Sequence, residues 1–180
     1  MDDHLIIFVR NPIFSQLNKN RDRNNRLSSY LDLMAHTAGI TADVVASKHL
    51  YYNEYIENDS VFSDQLYQKK LHVEETPKAQ LAEAIKETFG QWAKKVVFMG
   101  MDSTELSKDD ILLVFQQLDH NDVVILPEKM GGILVFGMTF YESVILDHFP
   151  WEKEDDLLDT IIALQKSNKT YCVLEAKNAN

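Results

Sequence analysis

Short continuous apolar runs alternate with stretches whose apolar residues recur every three or four positions, from one end of the chain to the other. The first run, HLIIFVR (4–10), is rich in β-branched and aromatic residues and reads as a strand buried on both faces. After a polar loop, residues 24–46 carry Leu27, Tyr30, Leu31, Met34 and Ala38 at helical spacing. SKHLYYN (47–53) is strand-like again. The stretch 54–76 is irregular, with LYQKKLHV as a short edge strand. Pro77 then suits the first turn of a helix, where its missing N–H costs nothing. That helix places Leu81, Ala82, Ile85, Phe89 and Trp92 on one face. KKVVFMGMD is a buried strand ending at Gly100, and Ser107 with Asp110 three residues later forms a capping pair for the next helix. DVVILP and GILVFGM are two further strands. FYESVILDHF and KEDDLLDTIIALQKS read as helices, and KTYCVLE as a last strand.

Strands alternating with helices predict a three-layer α/β/α sandwich around a mostly parallel sheet. The close succession of DVVILP and GILVFGM leaves no room for a crossover helix, so the sheet is expected to be mixed. The 180 residues, 45 % hydrophobic, are enough for one domain over 1–180 with a single core.

Charge narrows the partners. A formal net charge of −10 argues against a protein that works by neutralising nucleic-acid backbones. The single cysteine, Cys172, has no intrachain disulfide partner and lies in an apolar run, where it packs as a small hydrophobe. No basic, then apolar leader opens the chain, and no apolar stretch approaches the roughly 20 residues of a membrane span. The expected location is the cytoplasm. The six histidines are scattered without metal-ligand spacing, and no Ser/Cys–His–acid set is recognisable.

In such sheets ligands bind beyond the carboxyl ends of the strands, so the segments after each strand carry the candidate chemistry. Residues 9–26 bring Arg10, Lys19, Arg21, Arg23 and Arg26 together with one acid, Asp22. Such a segment is either a phosphate-binding loop or a solvated polar loop; it has no glycine for close backbone approach. Arg10, Asn11 and Arg21 are its candidate nucleotide or phosphate contacts, with Gly100, Gly131 and Gly132 at later strand ends. Asp102, just beyond Gly100, can hold a divalent cation or serve as a turn or cap residue. Gly131 and Gly132 either let the backbone approach a ligand or make a bend between strands.

In order, LIIFVRNP, YYNEYIEND, YQKKLH, KKVVFMGMDSTEL, NDVVILPEKMGGILVFGM and FPWEKEDDLLDTI resemble a bacterial family of small glycosyltransferase-like proteins. These belong to the nucleotide-diphospho-sugar transferase type, some of them associated with radical-SAM or selenodomain genes. The resemblance implies a GT-A-like fold, a nucleotide or nucleotide-sugar in the N-terminal half, and a carboxylate-held Mg²⁺ or Mn²⁺ on its diphosphate, with Asp102 as the surviving metal-site acid. The chain also departs from that family. Ser15 replaces a glycine, Asn20 stands at an expected arginine, and TPKAQLAE replaces a stretch containing glycine and arginine. Ser103 and Thr104 replace a Cys-Pro-like pair. Met130 replaces the acid before the two glycines, and Ile133 and Leu134 replace aromatic residues. A thioether is a poor partner for a hard cation. The resemblance therefore implies a glycosyl- or nucleotidyltransferase lineage whose nucleotide and metal site is degraded, to the point of a pseudoenzyme. The alternative is a non-catalytic binding or protein-interaction module on the same fold.

Overall fold

The computed structural model describes residues 2–11, 20–58, 60–72, 74, 76–101, 103–149 and 157–178, with the backbone alone over 20–26. The elements run β1 (Asp3–Val9), α1 (Asn20–Thr41), β2 (Ser47–Tyr52), β3 (Tyr67–Leu71), α2 (Pro77–Gly90), β4 (Lys95–Gly100), α3 (Lys108–Gln117), β5 (Val123–Pro127), β6 (Ile133–Met138), α4 (Ser143–Asp147), α5 (Leu157–Lys166) and β7 (Tyr171–Val173). The described strands form one seven-stranded sheet in the order β3-β2-β1-β4-β6-β5-β7. β1 pairs in parallel with β2 and β4, β2 with β3, and β5 with β7. β6 runs against both β4 and β5, which is the antiparallel pairing that the short β5–β6 connection requires.

The apolar alternation of β1 divides the core. Leu5, Ile7 and Val9 point into one cluster with Met34, Val97, Val114 and Leu126. Ile6 points into the other with Leu81, Ile85, Phe136 and Leu146. A strand buried on both faces must be apolar at every position, and that is what makes 5–9 a continuous hydrophobic run. Helices bind to this sheet through local devices. Ser107 and Asp110 complete a capping box at α3, with the Ser107 N–H donating to Asp110 Oδ2 at 2.8 Å. Thr76 caps α2, whose first residue is Pro77. Gly137 lets α3 approach β6 closely: a Cβ there would lie 2.8 Å from both Leu118 Cδ1 and Val114 Cγ1.

The expected helix over 24–46 ends five residues sooner. Thr41 turns its hydroxyl back to the Thr37 carbonyl at 2.7 Å and meets the Tyr67 hydroxyl at 2.8 Å, and residues 42–46 lead into β2. Leu31, at helical spacing with the core positions, is half exposed. Trp92 was expected on the buried face of α2 and is 90 % exposed. The helix has ended by then, and Trp92 takes a left-handed φ of 68°, which swings its indole out of the helical register. Leu81, Ala84, Ile85 and Thr88 cover the sheet instead. Cys172, expected as a buried hydrophobe, is only half-buried against the core, because it lies on the edge strand β7. No described helix is long and apolar enough to cross a membrane.

Candidate functional site

The carboxyl ends of β1, β2, β4 and β5 face one edge of the sheet. Because β6 is antiparallel, its amino end reaches the same edge. This geometry gathers most of the predicted residues. Arg10 and Asn11 follow β1, Gly100 ends β4 opposite Phe8, and Gly131 and Gly132 precede β6. The Met101 N–H donates to the Phe8 carbonyl at 3.1 Å, so the ends of β1 and β4 stay in register as they leave the sheet. Asp102 and the side chain of Arg21 lie outside the described residues.

Arg10 is exposed, and Asn11, the next residue, is only 4 % exposed. Asn11 is bonded on every side. Its N–H donates to Asn53 Oδ1 at 2.7 Å, and its Oδ1 accepts from the N–H groups of Glu54 and Tyr55 at 3.2 and 3.3 Å. Its Nδ2 donates to Glu57 Oε1 at 3.1 Å. The same carboxylate oxygen accepts from the Tyr30 hydroxyl, on α1, at 2.5 Å. Lys69 on β3 donates to the Glu57 carbonyl at 3.1 Å and pairs with Asp64 at 3.1 Å. Burial, reinforced by the Glu57 carboxylate, raises the Tyr30 pKa, so the phenol remains a proton donor. Glu57, Tyr30 and Asn53 escaped the sequence reading. Tyr30 was legible only as a core position of the helix, and Asn53 and Glu57 only as part of the polar stretch NEYIEND directly after an apolar strand.

At the other end of the edge, residues 128–132 form the β5–β6 hairpin turn. The Gly131 N–H donates to the Glu128 carbonyl and the Glu128 N–H to the Gly132 carbonyl, both at 3.2 Å. Gly131 and Gly132 have φ of 100° and 92°, a region that side-chain-bearing residues rarely enter. Of the two roles open to these glycines, the structure exhibits the bend. Met130 stands at the tip, 80 % exposed. Gly100, by contrast, has no positive φ and continues β4. The segment 174–177 runs beside this hairpin. The Lys129 N–H donates to the Lys177 carbonyl at 2.7 Å, and Lys177 Nζ reaches Asp110 Oδ2 at 2.7 Å. Burial alone would raise the Asp110 carboxyl, but Lys177 and Ser107 together hold it below the usual carboxylate range.

Among the described residues no group of three or more His, Cys, Asp or Glu side chains is arranged to hold a metal ion. Glu57 is spent on Asn11 and Tyr30, the Ser103 hydroxyl accepts from the Glu105 N–H at 3.1 Å, and the hairpin tip offers a thioether.

Two further clusters lie on the sheet beneath this edge. His4 and His49 stack with ring centroids 5.2 Å apart, His4 Nδ1 lying 2.9 Å from His49 Nε2. Burial, then His4, pushes the His49 pKa down to about 4. A hollow of about 390 Å³ between β3 and α2 is lined by Tyr51, Lys70, His72 and Glu87, among others. There Glu87 accepts from the Tyr51 hydroxyl at 2.8 Å and from Lys70 at 2.5 Å, and His72 stacks on the Tyr51 ring at 5.1 Å.

The fold has close structural parallels. A protein of Desulfovibrio desulfuricans G20, provisionally named a nucleotide-diphospho-sugar transferase, superposes with a TM-score of 0.78 at 17 % identity, over 99 % of this chain and 82 % of its own. The 4-diphosphocytidyl-2C-methyl-D-erythritol synthase of Anaerococcus prevotii DSM 20548 superposes with a TM-score of 0.60 at 10 % identity, over 97 % and 87 %. A CMP:2-keto-3-deoxy-manno-octonic acid synthetase complexed with CTP gives 0.54 at 9 % identity, over 99 % and 91 %. The chain thus has the GT-A-like α/β fold of nucleotide-diphospho-sugar transferases and cytidylyltransferases. No curated protein matches it significantly by sequence. The sequence profile of one family matches residues 37–153, and on that match the chain belongs to DUF2064, a family described as an uncharacterized protein conserved in bacteria.

Proposed function

We propose that this chain is a nucleotide-binding protein of the GT-A-like transferase lineage whose metal site is degraded. The observation that supports this most directly is the convergence of Arg10, Gly100 and the β5–β6 turn on one edge of a sheet whose neighbours include an enzyme complexed with CTP. In this reading the nucleotide or nucleotide-sugar phosphates lie against Arg10, with Asn11 and Arg21 in the same segment. Any Mg²⁺ or Mn²⁺ is held by Asp102 and by the phosphates themselves. The degraded character rests on Met130: where a carboxylate was expected, a thioether projects into solvent.

A second reading, a non-catalytic binding or protein-interaction module, draws support from the same rim. Tyr55 and Ile56, after β2, are 41 % and 48 % exposed, and Met130, at the other end of the edge, is 80 % exposed, so large apolar side chains stand open to solvent at both ends.

A thermal-shift screen of CTP, other nucleoside triphosphates and nucleotide sugars, with and without Mg²⁺ or Mn²⁺, separates the two. A nucleotide at 100 times its Kd stabilises the native state by about 2.7 kcal/mol. We expect at least one to shift the transition. If none does, the nucleotide reading fails and the interaction module stands. Metal-dependent turnover lost in Asp102→Ala would overturn the degraded site.

A further inference from the structure

The bonds around Asn11 join more of the molecule than a strand end needs for its own stability. They tie β1 to the 53–57 segment, to α1 through Tyr30, and to β3 through Lys69. A buried polar network specifies one geometry, because every alternative leaves donors or acceptors unpaired in a low-dielectric setting. Apolar packing would stabilise this corner equally well without fixing the direction in which the chain leaves it. The residue whose direction is fixed is Arg10, the exposed cation immediately before Asn11.

We infer that Asn11, Glu57 and Tyr30 form a positioning clamp that presets Arg10 for a nucleotide phosphate; this rests on the nucleotide reading above. Glu57 is the hub. One of its oxygens takes both the Asn11 amide and the Tyr30 phenol, so either partner turns away only by giving up a charge-assisted hydrogen bond. None of the three needs to touch the ligand. They act through the backbone of residues 9–11.

Isothermal titration of CTP with Mn²⁺ against the wild type, Tyr30→Phe, Asn11→Ala, Arg10→Ala and the double variant Arg10→Ala/Asn11→Ala tests this, together with amide hydrogen exchange. If Asn11 works through Arg10, Asn11→Ala weakens binding by about tenfold, since small misplacements of a binding group cost one to two orders of magnitude. The double variant is then no weaker than Arg10→Ala alone. Exchange should accelerate together at residues 9–11 and 53–57 in Asn11→Ala. Tyr30→Phe, which removes a single hydroxyl and folds most readily, should show the same pattern in milder form.

Unchanged affinity in Asn11→Ala and Tyr30→Phe, losses that multiply in the double variant, or unchanged exchange at 53–57 would each overturn the clamp. Absence of binding by the wild type to any nucleotide overturns the nucleotide reading, and the clamp's purpose with it. Binding that ignores these substitutions overturns the clamp alone.

Discussion

The two ends of the candidate edge are built by opposite means. At the β1–β2 end, a 4 %-exposed asparagine and a half-buried glutamate join the end of β1, the 53–57 segment and α1 through side-chain hydrogen bonds. At the β5–β6 end, a turn closes with backbone bonds and two left-handed glycines, and its tip residue is in solvent. The first end is specified by polar chemistry in the interior, where substitution leaves groups unpaired. The second is closed by backbone bonds and glycine conformation, so the side chain at its tip, Met130, does not specify it. Met130, in solvent at the hairpin tip, can therefore be exchanged without cost to the fold, whereas a change at Asn11 cannot be silent.

The largest effect is expected where the contrast is sharpest. Asn11→Ala strips the partners from the Glu54 and Tyr55 N–H groups and removes one donor to Glu57. A hydrogen bond contributes about 1 kcal/mol net, and three are lost, so a loss of about 3 kcal/mol is expected in urea unfolding. A loss below about 1 kcal/mol would mean that water replaces the amide and that the two ends are built alike.

The hairpin's stem differs from its tip. Gly137 lies on β6 under α3, and a methyl group there would meet Val114 Cγ1, a branched side chain with little freedom to move. Gly137→Ala should cost about 2 kcal/mol through overpacking, read as a lower urea midpoint with unchanged m-value. Neutrality would show that α3 shifts to admit it.

Acid should loosen the β1–β2 side first. His49 is fully buried, and its folded pKa of about 4 lies below the ordinary 6.5, with burial the main cause, His4 and Lys70 adding to it and Glu87 opposing. Between those values the unfolded chain binds a proton that the folded chain refuses. Stability is thus complete above pH 6.5 and falls as pH drops towards 4. His72, lowered to about 4 by burial, acts in the same direction. For His49 alone the loss by pH 5 is on the order of 2 kcal/mol. His49→Asn should flatten the dependence of unfolding free energy on pH between 6.5 and 4. An unchanged slope would remove His49 as its source.

These contrasts explain what could be read in advance. The strands were legible because burial on both faces forces continuous apolar runs, as in 5–9, and the mixed sheet followed from a connection too short to cross over. The Ser107–Asp110 cap was legible because its chemistry is local. The Asn11–Glu57 pairing was not, since it spans 46 residues and neither residue type reveals its partner. Trp92 misled for a related reason: helical spacing predicts a face only while the helix continues, and its end lay two residues earlier. The histidine pair, 45 residues apart, is set by the β1–β2 register, which places residue 4 beside residue 47 and fixes His49 nearby.

The smallest effect belongs to Met130. It is 80 % exposed and its neighbours are held by backbone bonds, so Met130→Asp should change stability by less than about 0.5 kcal/mol. Gly132→Ala, two residues on, should cost about 1–2 kcal/mol, because φ of 92° is unfavourable for alanine even though the nearest atom to the added methyl, Glu128 Oε2, is 3.8 Å away. The pair separates backbone from side chain at a single turn. The silent Met130→Asp protein then serves a second purpose, since it restores the carboxylate that the family resemblance places before the glycines. If the hairpin end lost only a ligand, Mn²⁺ should strengthen CTP binding more in Met130→Asp than in the wild type, by an amount set by isothermal titration at matched pH. If Mn²⁺ leaves both proteins alike, the hairpin's departure from the family lies deeper than one side chain.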